Sequence, residues 1–423
     1  MKKIVSLMLC ALLVMGLAMP VAAASRTHVV QEGEVLWRIA QAHGITYREL
    51  ADYNDLRSPH LIFPGQQLAI PGHAPAYVAQ AAANLYPTFQ PVILGHGTAW
   101  PVAGMLTFPA GAGAHAPVPG IVIVHGSGAH DMDGTLYPPG ITPYLDMALH
   151  FADSGIATLR HDKRNLVHVD ALLADPLLLG AFTVWEESIE DALHAAAMLH
   201  ADPRIDSSRI YLLGHSLGGM LAPRIQVAAQ QAGTPFAGLI LMAATPREMT
   251  EVVMEQLNAS LAAGYAQVAA MAPFLSEQDL FAAQLELEIA QEEIDFITEV
   301  ISMIWDTPAE YARQMFVMGA SFYYFQDMAA HPFEAMVALT DVPMLVLQGQ
   351  RDFQVRYDVD FALLANMLHG RAHTTFILYP DLNHMFMPSQ ATTFIEHALE
   401  IIMLPQQVCD TVLGDVAAWV LAR

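Results

Sequence analysis

Cysteine and positive charge are both scarce in this 423-residue chain. The two cysteines are Cys10 and Cys409, and Cys10 lies in an N-terminal segment that we expect to be removed. The mature chain would then have no internal disulfide, so a large core must supply its stability. Lysine and arginine number 18 against 42 aspartates and glutamates, which gives a net charge of −24. An acidic surface of this kind repels nucleic acid and anionic lipid, so we exclude both as partners.

Charged residues of either sign make up only 14% of the chain, whereas hydrophobic residues make up 54%. A chain this apolar can bury a large core, which excludes disorder over most of its length. Beyond the N-terminal segment, no uncharged apolar run reaches the roughly 18 residues that a membrane-spanning helix needs. We therefore predict no integral membrane segment in the mature chain.

Metal and cofactor motifs are missing as well. The chain has 19 histidines but no HExxH pair and no Cys/His cluster at zinc spacing. No nucleotide or flavin motif is present. We therefore predict that the protein needs no metal and no cofactor.

The first 24 residues have the pattern of a secretory signal peptide. Lys2 and Lys3 precede an apolar segment over residues 4–19, and small residues lead up to Ala24. We expect export and cleavage near Ala24, which would leave 16 basic and 42 acidic side chains and a charge of −26. The alternative is an uncleaved anchor helix.

Residues 27–71 predict a small domain in which two helices lie between two strands. Residues 28–30 and 67–70 are β-compatible, and apolar residues at helical spacing lie between them. Gly44 is placed to end the first helix, and Thr46 with Glu49 forms a capping box for the second. The predicted order is βααβ.

This segment resembles the LysM module over essentially its whole length. The resemblance lies in Val29, residues 33–37 (GEVLW), Ile39, Asn54 and residues 62–66 (IFPGQ), although Glu34-Val35 replaces the commoner Asp-Thr. It implies binding of peptidoglycan or another N-acetylglucosamine polymer, and hence association with the cell wall. The groove it implies is formed by Gly33, Glu34, Val35, Leu36, Asn54, Ile62, Phe63 and Pro64. A simple spacer is the alternative.

Residues 72–88 are rich in alanine and proline, which predicts a linker, with an interdomain helix at 77–85 as the alternative. The rest of the chain alternates strand and helix patterns. Uncharged β-compatible runs occur at 121–124, 156–159, 210–213, 239–242 and 344–347, with helical patterns such as 186–200 and 217–231 between some of them. Uncharged strands are typical of a sheet covered by helices on both faces. Residues 89–423 therefore predict an α/β domain with a mostly parallel sheet.

The stretch 245–338 interrupts this alternation. It is long, rich in Met, Ala, Glu and Phe, and has no strand run, so we predict a helical insertion that forms a lid over the site.

The motif GHSLGG at 214–219 follows one predicted strand and precedes a helix. In that context GxSxG places its serine on a strained turn, with the hydroxyl exposed and the helix N-terminus nearby. Ser216 is the predicted nucleophile.

A serine nucleophile needs a histidine base, and the histidine needs an orienting acid, which follow in the chain order Ser, acid, His. Asp352 lies in the loop after the 344–347 strand, and Asp358 and Asp360 are the competing acids. The base is His384, in the loop after a further strand at 375–379. Two other histidines, His369 and His373, precede that strand and so lie at the wrong edge.

Ester or amide cleavage also needs two N–H donors for the tetrahedral oxyanion. One is the N–H of Leu217, directly after the nucleophile. The other is the N–H of Ser127 in the turn HGSG at 125–128, which follows the 121–124 strand. A plain tight turn is the alternative for the second motif.

Residues 91–403 resemble the α/β-hydrolase superfamily, in the branch of serine aminopeptidase S33-like and dienelactone-hydrolase-like proteins, mostly secreted esterases. The resemblance lies in HGSGAHDMDG, RHDKR, WEESIEDA, GHSLGGMLAPRI, LVLQGQRDFQV and LYPDLNHMF. It implies catalytic roles for Ser216, Asp352 and His384 and oxyanion roles for Ser127 and Leu217. The RHDKR run departs from the family at His161 and is followed by Asn165 where glycine is usual, and we interpret its charges as solvated and loop-structuring.

We predict a secreted, wall-associated carboxylic ester hydrolase that acts on a small-molecule ester through an acyl-enzyme. Met- and Phe-rich positions in the lid favour an apolar acyl or aryl group, with ordinary core packing as the alternative. A serine aminopeptidase and a catalytically silent wall-binding protein are the alternative functions. The lid positions in question are Met271, Phe274, Phe316, Met318 and Phe322.

Overall fold

A computed structural model describes most of the chain. The described residues are 26–31, 34, 36–43, 45, 50–51, 53–54, 56, 62, 65–71, 87–136, 140–404 and 406–423. The predicted signal peptide lies outside them, as do residues 72–86, where we predict a linker or an interdomain helix. Gly33, Val35, Phe63 and Pro64 of the predicted groove, and Gly44, Thr46 and Glu49 of the predicted helix ends, also lie outside them. The chain divides into two compact units: residues 1–59 and 64–74, and residues 60–63 and 75–423.

The first unit contains the two predicted outer strands. Strand β1 (Arg26–Val29) pairs antiparallel with β2 (Gln67–Ile70), and helix α1 (Leu36–Ala42) lies between them in the chain. Leu36, Ile39 and Ala40 are buried on one face of α1, and Leu68 of β2 is buried as well. Leu50 and Ala51 are buried and helical, in the stretch where the second helix is predicted.

The second unit is built on an eight-stranded sheet in the order β12-β11-β8-β7-β5-β6-β4-β3. Strands β3 and β4 pair antiparallel, as do β4 and β6, and the remaining neighbours are parallel. A separate two-stranded hairpin, β9–β10, lies in the helical stretch between β8 and β11. The strands are β3 (Thr88–Leu94), β4 (Val102–Phe108), β5 (Val118–Val124), β6 (Ala157–His161), β7 (Ile205–His215), β8 (Gly238–Met242), β9 (Phe316–Val317), β10 (Ala320–Ser321), β11 (Met344–Gly349) and β12 (Thr374–Tyr379).

The mostly parallel sheet is confirmed, and its two antiparallel strands are additions that the sequence pattern does not mark. Strand β3 is an edge strand whose residues are mostly exposed, so it lacks the uncharged buried run of the central strands. It begins at Thr88, the last residue of the predicted linker. Strand β4 contains Gly104, where an added Cβ would lie 3.0 Å from the carbonyl oxygen of Arg160.

Helices cover both faces of the sheet. The helices outside the insertion are α2 (Pro143–Asp153), α3 (Arg164–Val167), α4 (Val169–Ala174), α5 (Pro176–Ala181), α6 (Glu190–Ala201) and α7 (Leu217–Ala232), followed after the insertion by α13 (Ala362–Met367), α14 (Phe394–Met403) and α15 (Asp410–Leu421). π-helical turns occur at Trp185–Ile189 and Tyr357–Phe361. Along β5, Val122 and Val124 pack on the face of α6 and α7, whereas Ile121 and Ile123 pack on the face of α2 and α15. This period of two explains why the central strands are apolar without interruption.

Residues 249–338 are mainly helical, and we name them the insertion. Its helices are α8 (Met249–Met271), α9 (Glu277–Ser302), α10 (Ala309–Ala312), α11 (Phe322–Ala329) and α12 (Phe333–Ala338), with a 3₁₀ turn at Ala272–Phe274. The prediction of no strand here is wrong, because β9 and β10 form a hairpin around the positive-φ residues Met318 and Gly319. Across the part of the chain that the structure describes, no helix is long and apolar enough to cross a bilayer.

Candidate active site

Ser216 lies on a strained turn between β7 and α7. Strand β7 ends at His215 and α7 begins at Leu217, and the serine between them has φ 55° and ψ −117°. A non-glycine residue rarely adopts this conformation, and such strain is concentrated at functional sites. The backbone is held there because the N–H of Ser216 donates to the carbonyl of Met242 at 2.8 Å.

The glycines around Ser216 are required by close backbone approach. A Cβ at Gly214 would overlap the carbonyl group of Gly218, and a Cβ at Gly218 would overlap the carbonyl oxygen of Val124. At Gly219 the obstacle would be the Cβ of Ala244, at 2.7 Å. The three glycines of GHSLGG are therefore required by the close approach of the start of α7 to the ends of β5 and β7 and to Ala244 after β8.

Asp352 and His384 form a buried hydrogen-bonded pair. His384 Nδ1 lies 2.8 Å from Asp352 Oδ2, although 32 residues separate the two in the chain. The other carboxylate oxygen accepts the N–H groups of Gln354 and Val355 at 2.8 and 2.9 Å, and the side chain of Gln348 donates to Oδ2 at 2.9 Å. Burial by itself raises the pKa of Asp352. The charge and hydrogen bond of His384, together with these N–H groups, lower it by more than burial raises it, so the pKa of Asp352 lies below its usual value.

The competing acids have other partners. Asp360 is fully buried and binds the hydroxyl of Thr245 at 2.6 Å and the guanidinium of Arg247 at 2.8 Å. Asp358 is exposed and pairs with Arg356. Of the three candidate acids, Asp352 is therefore the one that reaches His384.

Ser216 and His384 line one cavity of about 180 Å³, which we name the nucleophile cavity. Ser127, Tyr144 and His215 also line it. His215 Nδ1 lies 3.1 Å from the hydroxyl of Tyr144, and its Nε2 lies 2.9 Å from the carbonyl oxygen of His384. Burial, and then the nearby His384, lower the pKa of His215 to about 3, so this ring is neutral at physiological pH. His215 and Tyr144 support the loop of His384, and the sequence pattern did not mark either one.

The two predicted oxyanion donors lie at the ends of neighbouring strands. Val124 of β5 is in register with Gly214 of β7, so the loops that carry Ser127 and Leu217 leave the same edge of the sheet. Gly126 comes close to Ser216, because a Cβ there would lie 3.2 Å from the Cβ of Ser216. The N–H of Gly126 donates to Tyr144, at 3.2 Å.

Arg160, Lys163 and Arg164 of the run RHDKR at 160–164 are buried, so the interpretation of these charges as solvated is wrong. Arg160 donates to Asp133 at 2.7 Å, Lys163 to Glu187 at 2.6 Å, and Arg164 to Asp191 at 2.7 Å. Arg164 also pairs with Glu190. The acids that neutralise these cations come from other elements, which a linear pattern does not reveal. The expectation that the run orders loops fits these contacts.

A second cavity, of about 380 Å³, lies between the α4–α5 segment and the insertion, and we name it the insertion cavity. It shares Ser127 with the nucleophile cavity. Of the five lid positions predicted for substrate contact, Met318 lines it, whereas Phe322 is packed in the insertion's own core and Met271, Phe274 and Phe316 are exposed. The apolar lining comes mainly from Leu172, Leu173, Leu179, Phe182, Met249, Val253, Met318 and Phe325.

Four of the predicted glycan-binding residues lie among the described residues. Glu34 accepts the N–H of Gln31 and contacts His28 Nε2, both at 2.7 Å. Asn54 makes internal bonds, donating to the carbonyls of Leu50 and Ala69 and accepting the N–H of Ala69. Leu36 and Ile62 are buried. Leu36 and Asn54 are thus used in building the small unit.

Comparison with known proteins finds two families. Residues 117–389 match the serine aminopeptidase S33 family, and residues 28–71 match the LysM domain. Esterase EstD of Thermotoga maritima is 32% identical over 317 residues, which cover 75% of this chain and 64% of EstD. The chain thus spans less than two thirds of that relative's length.

Other similarities are shorter or more distant. The N-acetylmuramoyl-L-alanine amidase sle1 of Staphylococcus haemolyticus is 49% identical over 51 residues, which cover 12% of this chain and 15% of the amidase. Among solved structures, Est1E from Butyrivibrio proteoclasticus has 14% identity and a TM-score of 0.43, covering 79% of this chain and 99% of its own. The Pyrococcus furiosus esterase PF2001 has 10% identity and the same TM-score, covering 86% and 98%.

Proposed function

We infer that this chain, which belongs to the serine aminopeptidase S33 family of α/β-hydrolases and carries a LysM domain, hydrolyses carboxylic esters through an acyl-enzyme. One observation carries the inference. The strained Ser216 shares a cavity with His384, and His384 is bonded at 2.8 Å to the buried Asp352. This is the set of groups that acyl transfer to a serine requires.

Each residue of the set has a role in the proposed mechanism. Asp352 binds Nδ1 of His384, which leaves Nε2 to take the hydroxyl proton of Ser216 as its oxygen attacks the ester carbonyl. The N–H groups of Ser127 and Leu217 would hold the oxyanion. His384 then returns the proton to the departing alcohol, which leaves an acyl group on Ser216. A water molecule, deprotonated by His384, releases the carboxylic acid and restores the serine.

An ester substrate is favoured over an aminoacyl one. An aminopeptidase needs an acidic group free to bind the substrate's amine, and the acid that lines the insertion cavity is Glu187. Its carboxylate is already engaged by Lys163 at 2.6 Å and by the hydroxyl of Tyr324 at 2.7 Å. The apolar lining of this cavity and the similarity to an esterase support an apolar acyl or aryl group. The family's name keeps the aminopeptidase as the second candidate.

The esterase proposal is tested by a substrate panel. The wild-type chain should hydrolyse p-nitrophenyl esters of graded chain length, and Ser216→Ala should abolish this turnover. Turnover of aminoacyl anilides without ester turnover would instead assign the aminopeptidase. No turnover of either class by a folded protein would assign the catalytically silent wall-binding alternative.

We also propose that the protein is secreted and held at the cell wall by its LysM domain. Support comes from the LysM match and from the similarity to a protein named as an N-acetylmuramoyl-L-alanine amidase. The full chain should sediment with insoluble peptidoglycan, and a chain without residues 27–71 should remain in the supernatant. Equal retention of both chains would contradict the proposal and leave the domain as a spacer.

A further inference from the structure

The loop that carries Ser127 is held from outside the triad by a group of polar side chains. Lys163 Nζ donates to the carbonyl of Gly126 at 2.8 Å, and Asn165 Nδ2 lies 3.3 Å from the carbonyl of Gly128. These two carbonyls flank Ser127, whose N–H is one of the two candidate oxyanion donors. The direction of that N–H therefore depends on how firmly both neighbours are held.

Glu187 joins both of these anchors. Its Oε1 accepts Lys163 Nζ at 2.6 Å and Asn165 Nδ2 at 3.2 Å. Glu187 is 4% exposed and Lys163 is 1% exposed, so neither charge can be satisfied by bulk water. A buried pair of this kind costs desolvation energy and persists where its geometry is fixed by further hydrogen bonds.

The further hydrogen bond comes from the insertion. Tyr324, on α11, donates its hydroxyl to Glu187 Oε2 at 2.7 Å. Burial, and then the charge of Glu187, raise the pKa of Tyr324 well above its usual value, so the tyrosine remains a donor. Glu187 itself lies in a π-helical turn, an irregularity frequent at functional sites. The chain of contacts thus runs from α11 through Glu187 and Lys163 to the loop of Ser127.

We propose that Glu187 and Tyr324 are positioning residues through which the insertion sets the oxyanion loop of Ser127. The proposal rests on the proposed esterase function. Asn165, Glu187, Tyr324 and Ser127 all line the insertion cavity, so a substrate group that fills this cavity contacts the same side chains that hold the loop. Docking of the insertion and assembly of the oxyanion hole are therefore one event.

The sharpest test is Tyr324→Phe, which removes one hydroxyl and keeps the ring. Because the oxyanion forms only in the transition state, kcat for p-nitrophenyl butyrate should fall about tenfold while KM changes less than about twofold. Affinity for a phenylboronic acid, whose serine adduct uses the oxyanion hole, should fall by a similar factor. Tyr323→Phe, the neighbouring tyrosine on α11, is the matched control and should behave as wild type.

A double-mutant cycle tests the route through Glu187. In a Glu187→Met, Lys163→Met background, which removes both buried charges and the acceptor that Tyr324 and Asn165 share, adding Tyr324→Phe should change kcat by less than about twofold. A full tenfold loss in that background would show that the hydroxyl acts elsewhere and would overturn the proposal. Thermal unfolding of each variant identifies any that fails to fold, and Tyr324→Phe alone then decides.

The outcomes separate the two proposals. If Ser216→Ala abolishes ester turnover but Tyr324→Phe matches Tyr323→Phe in kcat and in boronic acid affinity, the esterase function stands and the positioning role is overturned. If Tyr324→Phe raises KM and leaves kcat unchanged, Tyr324 binds substrate and does not position the loop. If the wild type hydrolyses no ester, both proposals are overturned.

Discussion

The sheet edge around Ser216 and the helical insertion differ in which side chains they bury: charged residues are buried at the sheet edge, whereas large apolar residues are exposed in the insertion. At the sheet edge, Lys163, Arg164 and Asp352 are buried and bonded to partners from distant elements. In the insertion, Phe274 and Phe296 are 81% and 66% exposed. Along α9, a helix of 26 residues, Ile294 is the buried residue among those described.

The difference reflects what each region has to hold. Buried charges with several fixed partners allow one geometry, and that geometry is what a nucleophile, a base and an oxyanion hole need. A helix with few buried contacts opens at low free energy, as the predicted lid would have to do to admit substrate. Tyr324 connects the two regions, since it belongs to the insertion but donates a hydrogen bond to the buried Glu187.

The largest effect on kcat is expected from a change at Asp352, the acid bonded to His384. Asp352→Asn should lower kcat by about 10⁴-fold, because the amide no longer favours the required tautomer and charge of His384. Steady-state turnover of p-nitrophenyl butyrate measures this. Asp358→Asn is the matched control and should keep near-wild-type turnover, and the reverse result would move the acid's role to Asp358.

Removing one partner of a buried ion pair near the sheet edge should lower the free energy of unfolding. Lys163→Met leaves Glu187 without its cation and should lower the free energy of unfolding by about 3–5 kcal/mol. Asp358→Ala removes a partner of the exposed Arg356 and should cost less than about 1 kcal/mol. Urea denaturation compares the two, and equal costs would remove the distinction between the regions.

The free energy of unfolding should depend on pH through Asp146, a buried acid of α2 that accepts the N–H of Val408 at 3.3 Å. Burial raises its pKa to about 8, against 3.8 as the ordinary value. Between about pH 4 and pH 8 the folded state therefore holds one more proton than the unfolded state, and its stability falls as pH rises. Asp146→Asn keeps the shape and carries no titrating proton, so its unfolding free energy should depend less on pH between 5 and 8. An unchanged slope in urea denaturation would refute this.

The smallest effect on the free energy of unfolding is expected from an exposed residue of the insertion. Phe281 is 67% exposed on α9, so Phe281→Ser should change the unfolding free energy by no more than about 0.5 kcal/mol. Phe322→Ala, in the insertion's own core, should cost about 3–5 kcal/mol and serves as the comparison. A large loss for Phe281→Ser would mean that this surface is covered in solution.

Much of the fold follows from short stretches of sequence. The central strands are uncharged because both of their faces are covered, so each one is recognisable by itself, whereas the exposed edge strand β3 is not. The predicted α/β-hydrolase and LysM assignments are confirmed. Ser216 and its glycines follow from one motif, and loop position after a strand selected Asp352 and His384 for the proposed triad.

The sequence alone determined the features that depend on neighbouring residues: the turn of Ser216, the buried central strands and the order of the proposed triad. The tertiary structure decided which distant groups meet. It brought Glu187 to Lys163, Tyr324 to Glu187 and His215 to the carbonyl of His384. It also reversed the prediction for the RHDKR run, since a charge can be buried only where a partner from another element neutralises it. Local patterns record what one segment needs, and the identity of a partner depends on packing between segments far apart in the chain.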